Sequence, residues 1–187
     1  MKMQIEPVRT GEDREAAAAI REEVFQREMG LRIEPPGAAP GMRRFDLVAR
    51  SENGQPAGTL TVLETTGDTA LHRACGLHFE PGAAVARYTQ LAVRRPYRGM
   101  NVPGLLMVEA HRQFIEPEAF DFTWLLFPAH RASVSFLRGG LGFRPRPVDV
   151  MAEYGRCRAM VREERASYGR FPFRPSPAEI RQSTRSW

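Results

Sequence analysis

The run Gln90-Leu91-Ala92-Val93-Arg94-Arg95-Pro96-Tyr97-Arg98-Gly99-Met100-Asn101-Val102-Pro103-Gly104-Leu105-Leu106 constrains this chain more than any other. It begins as an apolar strand, passes through an arginine-rich turn and continues as the first turns of a helix. The first N–H groups of a helix lack intrahelical acceptors, and the helix dipole places positive charge beside them. A strand that feeds a helix through an Arg/Gly turn is therefore an anion site. The whole chain has the same sign. Its formal charge is +5, and Lys2 is its only lysine, so almost all of the positive charge is guanidinium. Guanidinium pairs with phosphate or carboxylate through two parallel hydrogen bonds, which a lysine ammonium cannot do.

Local patterns on either side give the element order. Residues 3–8 alternate and meet Pro7, a short strand. Thr10-Gly11-Glu12-Asp13 caps a helix whose apolar positions are Ala17, Ile20, Val24 and Phe25, ended by Gly30. Prolines and glycines make residues 34–44 a loop. Phe45–Arg50 and residues 56–65 read as two strands joined at Asn53-Gly54, a two-residue hairpin signal. The stretch 67–82 gives no clear pattern. A strand spans 83–93, and a helix runs from Val102 to about Phe114. Phe122–Phe127 is a nearly continuous apolar strand, as expected of one buried on both faces. A short helix over 131–138 is expected to break at Gly139-Gly140, and strand-like sequence resumes from Phe143 through Val148, Val150 and Cys157–Val161.

At 187 residues the chain fits one domain with a full core. The order of elements predicts an α/β fold with a mixed sheet and helices on both faces. Residues 1–165 form that domain, and 166–187 form a Pro/Arg-rich C-terminal tail. Cys75 and Cys157 are too few for a disulfide framework, the N-terminus lacks the apolar run of a signal peptide, and no stretch is long enough to cross a bilayer. A cytoplasmic protein with no membrane partner is the expectation. His72, Cys75 and His78 have even spacing but no fourth ligand nearby, so no metal is expected. The arginines are dispersed, which argues against nucleic acid.

Four pieces in order resemble the GNAT acyltransferase superfamily. They are the helix Ile20–Glu28, the hairpin Asp46–Ala49 with Pro56–Leu60, the run Leu91–Leu106, and His130–Phe136 followed by Leu141-Gly142-Phe143. The resemblance covers about residues 3–160. It implies a single GNAT-like domain whose central sheet splays between the strands at 83–93 and 122–127. It also implies direct transfer of an acyl group from a thioester to the amine of a small-molecule acceptor. The donor implied is acyl-CoA, or acyl-phosphopantetheine on an acyl carrier protein, with no prosthetic group. The run Arg21–Phe25 with Glu28 and Gly30 further resembles the acyl-homoserine lactone and N-acyl amino acid synthases, whose donors are often carrier-borne. A basic chain suits an acidic carrier.

The resemblance also assigns residues. The donor's pyrophosphate falls to Arg98, Gly99, Met100, Asn101, Val102, Gly104 and Leu105, and its thioester arm to Leu91, Ala92, Val93, Ser133 and Phe136. Asn101 and Pro103 stand where the family pattern has glycine or alanine. Asparagine tolerates the left-handed conformation, and proline suits a first helical turn but donates no N–H. Tyr88 and Gln90 on the donor strand, Glu80 just before it, and His130 are the candidates for proton handling. Period-two spacing puts Tyr88 and Gln90 on one face, opposite Leu91 and Val93. Arg21 and Glu28 are candidates for the acceptor pocket, Arg21 to grip an acceptor carboxylate. The tyrosine that follows the closing-motif phenylalanine in many relatives is absent, because Leu137 and Arg138 follow Phe136. A catalytically inactive module of the same shape, holding acyl-CoA or a protein partner, is the alternative reading.

Overall fold

The computed structural model describes residues 2–32, 42–65, 69–128, 131–152 and 155–164, with the backbone alone at 131–135. Its strands are β1 (Met3–Pro7), β2 (Arg44–Ser51), β3 (Pro56–Thr65), β4 (Val85–Val93), β5 (Phe122–Pro128), β6 (Arg144–Ala152) and β7 (Gly155–Glu163). The helices are α1 (Gly11–Arg21), α2 (Ala70–Ala74), α3 (Val102–Ala110) and α4 (Arg131–Leu141). Both α1 and α3 widen into π-helical turns, at Glu22–Glu28 and His111–Ile115. The strands form one sheet in the order β1-β2-β3-β4-β5-β7-β6. Every neighbouring pair is antiparallel except β4 and β5.

Sequence chemistry accounts for the boundaries. Thr10 and Asp13 form a reciprocal cap at the start of α1: the Asp13 N–H donates to Thr10 Oγ1 at 3.1 Å, and the Thr10 N–H to Asp13 Oδ2 at 3.1 Å. Thr69 caps α2 in the same way through His72, in the stretch that carried no clear pattern. The expected break at Gly139-Gly140 does not occur, and α4 continues to Leu141. Glycine only weakens a helix interior, by roughly 1 kcal/mol each. The stop is instead at Gly142 (φ +72°), where the Phe143 N–H reaches back to the Leu137 carbonyl at 3.0 Å.

Helices α3 and α4 cover one face of the sheet. Val102, Leu106, Met107, Leu137 and Leu141 pack there against Leu47, Leu60, Val62, Tyr88 and Leu125. Helices α1 and α2 cover the other, α1 through Ile20, Val24 and Phe25 against Ala92, and α2 through Cys75 against Val85 and Trp124. Two features then shape the middle of the sheet. The pairing of β4 with β5 stops after Val85–Phe122, Ala86–Thr123 and Arg87–Trp124, so the strands separate beyond Arg87. Strand β4 also carries a bulge. Thr61 pairs with Thr89 and Thr59 with Ala92, so two steps along β3 match three along β4, and the extra residue lies at Gln90 (φ +49°).

That extra residue corrects the face assignment made from period-two spacing. Past the bulge the alternation changes phase, so Leu91 and Val93 pack in the same cluster as Tyr88, and Ala92 turns under α1. Among the described residues no helix is long and apolar enough to cross a membrane. The tail 166–187 lies outside them, as does His130.

Candidate functional site

Where β4 and β5 part, a cavity of about 990 Å³ opens. Successive strand residues point to opposite faces, yet both Arg87 and Tyr88, and both Leu125 and Leu126, line it. The cavity therefore passes through the sheet. On the α3/α4 side its wall includes Met107, Leu125, Phe127 and Phe136. On the α1/α2 side it includes Val24, Phe25, Leu71, Ala74, Cys75, Leu126 and Val150. Gln90, Leu91 and Val93 border it along the edge of β4 that β5 leaves unpaired.

Arg98, Gly99, Asn101 and Pro103 border one end of this cavity. Gly99 (φ +86°) and Asn101 (φ +54°) turn the chain so that α3 starts facing it. Among the described residues, the N–H groups of Gly99, Asn101, Val102 and Gly104 have no backbone acceptor. Those of Arg98, Met100 and Leu105 are satisfied within the loop, by the carbonyls of Arg95, Tyr97 and Asn101 at 3.3, 3.3 and 3.1 Å. The cradle expected over Arg98–Leu105 is thus narrower by three amides. The reason is local: the turn of 3₁₀ helix at Arg95–Tyr97 and the first hydrogen bond of α3 claim them. A Cβ at Gly104 would lie 2.5 Å from Asn101 Oδ1, so any larger residue there must displace the Asn101 carboxamide.

Two ion pairs tie this loop to the π-helical turn after α1. Arg98 Nη2 pairs with Glu28 Oε2, while Arg98 Nε donates to the Val93 carbonyl at 3.0 Å. Arg94 Nε lies 2.9 Å from Glu23 Oε2. Glu28 lines the cavity. Arg21 does not: its Nη2 donates to Asp46 Oδ1 at 2.6 Å and to Thr61 Oγ1 at 2.7 Å, between α1 and the sheet. A guanidinium committed to a neighbouring carboxylate is not placed to grip an acceptor. Ala92, Met100, Val102, Gly104 and Leu105 are also not on the cavity wall.

Tyr88 is buried against Phe143, ring centroids 6.1 Å apart. Burial first, and then the charge of Glu164, push its phenol far above the ordinary value, against a smaller opposing effect of Arg162. A phenol so reluctant to ionise is a poor proton donor to a thiolate, whose ordinary pKa is about 8.5. Cys75 and Cys157 are both buried, and burial raises both thiols, so neither has the low pKa of a nucleophile. His72 sits between the rings of Phe79 and Trp124, at 5.1 and 5.0 Å. His78 is exposed, and no cluster of three ligating side chains occurs among the described residues.

The residues that local patterns did not reach are those of the α1/α2-side wall. Leu71, Ala74 and Cys75 fall in the stretch read as ambiguous, and Val150 was only strand-like. The continuous apolar run of β5 was the one available signal.

No family sequence model matches this chain, and no curated protein matches it. Solved structures do. An acyl-CoA N-acyltransferase from Pseudomonas aeruginosa is similar at 19% identity, over 86% of this chain and 98% of that one, with a TM-score of 0.54. TofI, solved in a ternary complex with an inhibitor and MTA, is similar at 15% identity, over 87% and 91%, with a TM-score of 0.63. The chain has the GNAT acyltransferase fold. FeeM, an N-acyl amino acid synthase from uncultured soil microbes, shares this GNAT fold at 13% identity, over 87% and 90%, with a TM-score of 0.61.

Proposed function

We propose that this GNAT-fold chain moves an acyl group from a thioester to an amine by direct transfer. The observation that carries the reading is a cavity through the sheet that joins the unpaired edge of β4 to the helix terminus of α3. A thioester on a long phosphorylated arm needs both ends of such a site. Its pyrophosphate would take the N–H groups of Gly99 and Asn101 together with the Arg98 guanidinium, all of which border the cavity. Its carbonyl would then sit against the edge of β4 near Leu91–Val93. An N–H on that edge stabilises the charge that develops on the carbonyl oxygen as the amine attacks. The C–N bond forms, the C–S bond breaks, and the proton shed by the amine nitrogen ends on the departing thiolate, which leaves with the donor arm as the free thiol. A thiolate is a good leaving group, so orientation and the oxyanion contact supply most of what the step needs.

The donor is acyl-CoA or the acyl-phosphopantetheine of a carrier protein, and the net charge of +5 suits either. The acceptor is a small-molecule amine, and the chain works without a prosthetic group. The test is to mix the protein with acyl-CoA and a panel of amines and to follow free thiol. Amine-dependent thiol release supports transfer. CoA binding without release supports the inactive module, a reading that the deeply buried, proton-retaining Tyr88 favours. Absence of CoA binding removes acyl-CoA as the donor and leaves a carrier-borne thioester, for which the same thiol assay with loaded carrier protein decides.

A further inference from the structure

We propose that the α1/α2 side of the cavity holds the hydrocarbon chain of a fatty acyl thioester, so that the donor is a medium- to long-chain acyl group rather than acetyl. The inference rests on the acyl-transfer reading above and names its substrate class. Three observations carry it. The first is size. About 990 Å³ stands at the top of the roughly 300–1,000 Å³ range of small-molecule sites, and an acetyl group would leave the far wall without contacts. The second is chemistry. Beyond the edge of β4 the wall is Leu71, Ala74, Leu126 and Val150 with the un-ionised thiol of Cys75. Arg87 is also on that side, its guanidinium 4.9 Å from the Trp124 ring centroid. Such a wall suits methylenes and offers a polar acceptor few partners.

The third observation is the mouth. Met29, Leu71 and Met151 are 50%, 41% and 79% exposed, and all three line the cavity. They make up three of the five large apolar side chains most exposed among the described residues. Exposed apolar side chains that border one cavity mark a binding site rather than chance scatter. Methionine adapts its shape to a chain of variable length. The cavity is continuous with the Arg98–Pro103 end, so one molecule with an anionic head and an apolar tail fits both ends.

The experiment is calorimetric titration of the full chain with CoA and with acetyl-, butyryl-, octanoyl- and dodecanoyl-CoA. Affinity should climb about fourfold per methylene, equivalent to ~0.8 kcal/mol, until the wall is filled. Ala74→Phe, a change at an exposed position on α2, should end that climb at a shorter chain. Equal affinities along the series, with CoA itself still bound, overturn the inference and leave the acyl-transfer reading standing. An undiminished climb in Ala74→Phe overturns the placement of the chain. If CoA and every thioester fail to bind, acyl-CoA as the donor and the inference fall together.

Discussion

Arg98 joins three parts of the molecule through one side chain. Its Nε is fixed by the Val93 carbonyl, its Nη2 faces Glu28, and its backbone enters the turn before α3. If the guanidinium also meets a phosphate, Arg98→Ala should weaken CoA about 10- to 100-fold, the range for hydrogen bonds to charged groups of ~1.5–3 kcal/mol. The fold should survive, because the side chain is 42% exposed. Titration of CoA checks the affinity, and a melting curve checks the fold. Glu28→Gln should act in the opposite direction. Removing the carboxylate that competes with phosphate for Arg98 should tighten CoA and reduce the salt dependence of the Glu28–Arg98 contact itself. Gly104→Ala is a sharper probe of the cradle. Its Cβ needs the space that Asn101 Oδ1 fills at 2.5 Å, so the carboxamide must swing aside. Alanine is the better helix former, so the melting temperature should hold or rise while CoA affinity falls. Adding Asn101→Gly, which suits the left-handed backbone at φ +54°, should restore the affinity. A double-mutant cycle with no coupling between the two changes would mean that Asn101 does not border the anion.

At the scale of elements, the bulge in β4 decides which side chains meet the cavity. Gln90 holds φ at +49°, a conformation that costs an ordinary L-residue about 1–2 kcal/mol. Gln90→Gly should therefore raise the melting temperature by roughly 2–4 °C for each kcal/mol recovered, and Gln90→Val should lower it. Equal melting curves for the two variants would contradict the bulge. The same residue shows where the sequence was legible and where it was not. The hairpin of β2 and β3 was readable because Asn53-Gly54 marks a turn, but the loop is three residues rather than two: the Ser51 N–H donates to the Gln55 carbonyl across Glu52–Gly54, and Gly54 alone of the three takes positive φ, +78°. The start of α1 was readable because Thr10 and Asp13 satisfy the first amides between themselves. The turn before α3 was readable for the same reason, since Gly99 and Asn101 take their positive φ within the seven consecutive positions Arg98–Gly104. A glutamine in the left-handed region leaves no such mark, because neighbouring strands rather than its own preference put it there. The phase of Leu91 and Val93 was misread as a result. Arg21 was misread because Asp46 and Thr61, which hold it, arrive from strands 25 and 40 residues away. The wall formed by α2 and β6 exists only after the sheet has assembled, so no local pattern announces it.

At the scale of the molecule, a buried polar cluster links the π-helical turn after α3 to the far end of β7. Arg162 Nη2 donates to His111 Nδ1 at 2.8 Å, Arg162 Nη1 to the Leu141 carbonyl at 3.1 Å, and Arg162 also pairs with Glu164. Glu164 accepts from Thr123 in turn. Since a guanidinium only donates, Nδ1 of His111 must accept, and the ring is neutral. Burial first, and then the Arg162 charge, hold the His111 pKa down to about 3. In the unfolded chain it returns to about 6.5. Between those values the unfolded state binds a proton that the folded state refuses, so stability is full above pH 6.5 and falls as the pH drops. The slope approaches about 1.4 kcal/mol per pH unit. The lowered carboxyls of Asp13, Asp46, Glu64 and Asp149 also cost stability in acid, from about pH 5 downward, where their unfolded forms take up protons. The interval from pH 6.5 to about 5 therefore belongs to histidine, and a His111 variant separates His111 from the buried His72. Melting temperature should fall by several degrees across it in the parent chain. His111→Gln keeps an oxygen to accept from Arg162 and has nothing to titrate, so its melting temperature should stay level over the same interval. A parent-like decline in that variant would assign the acid sensitivity to another group and leave the His111–Arg162 contact without a part in it.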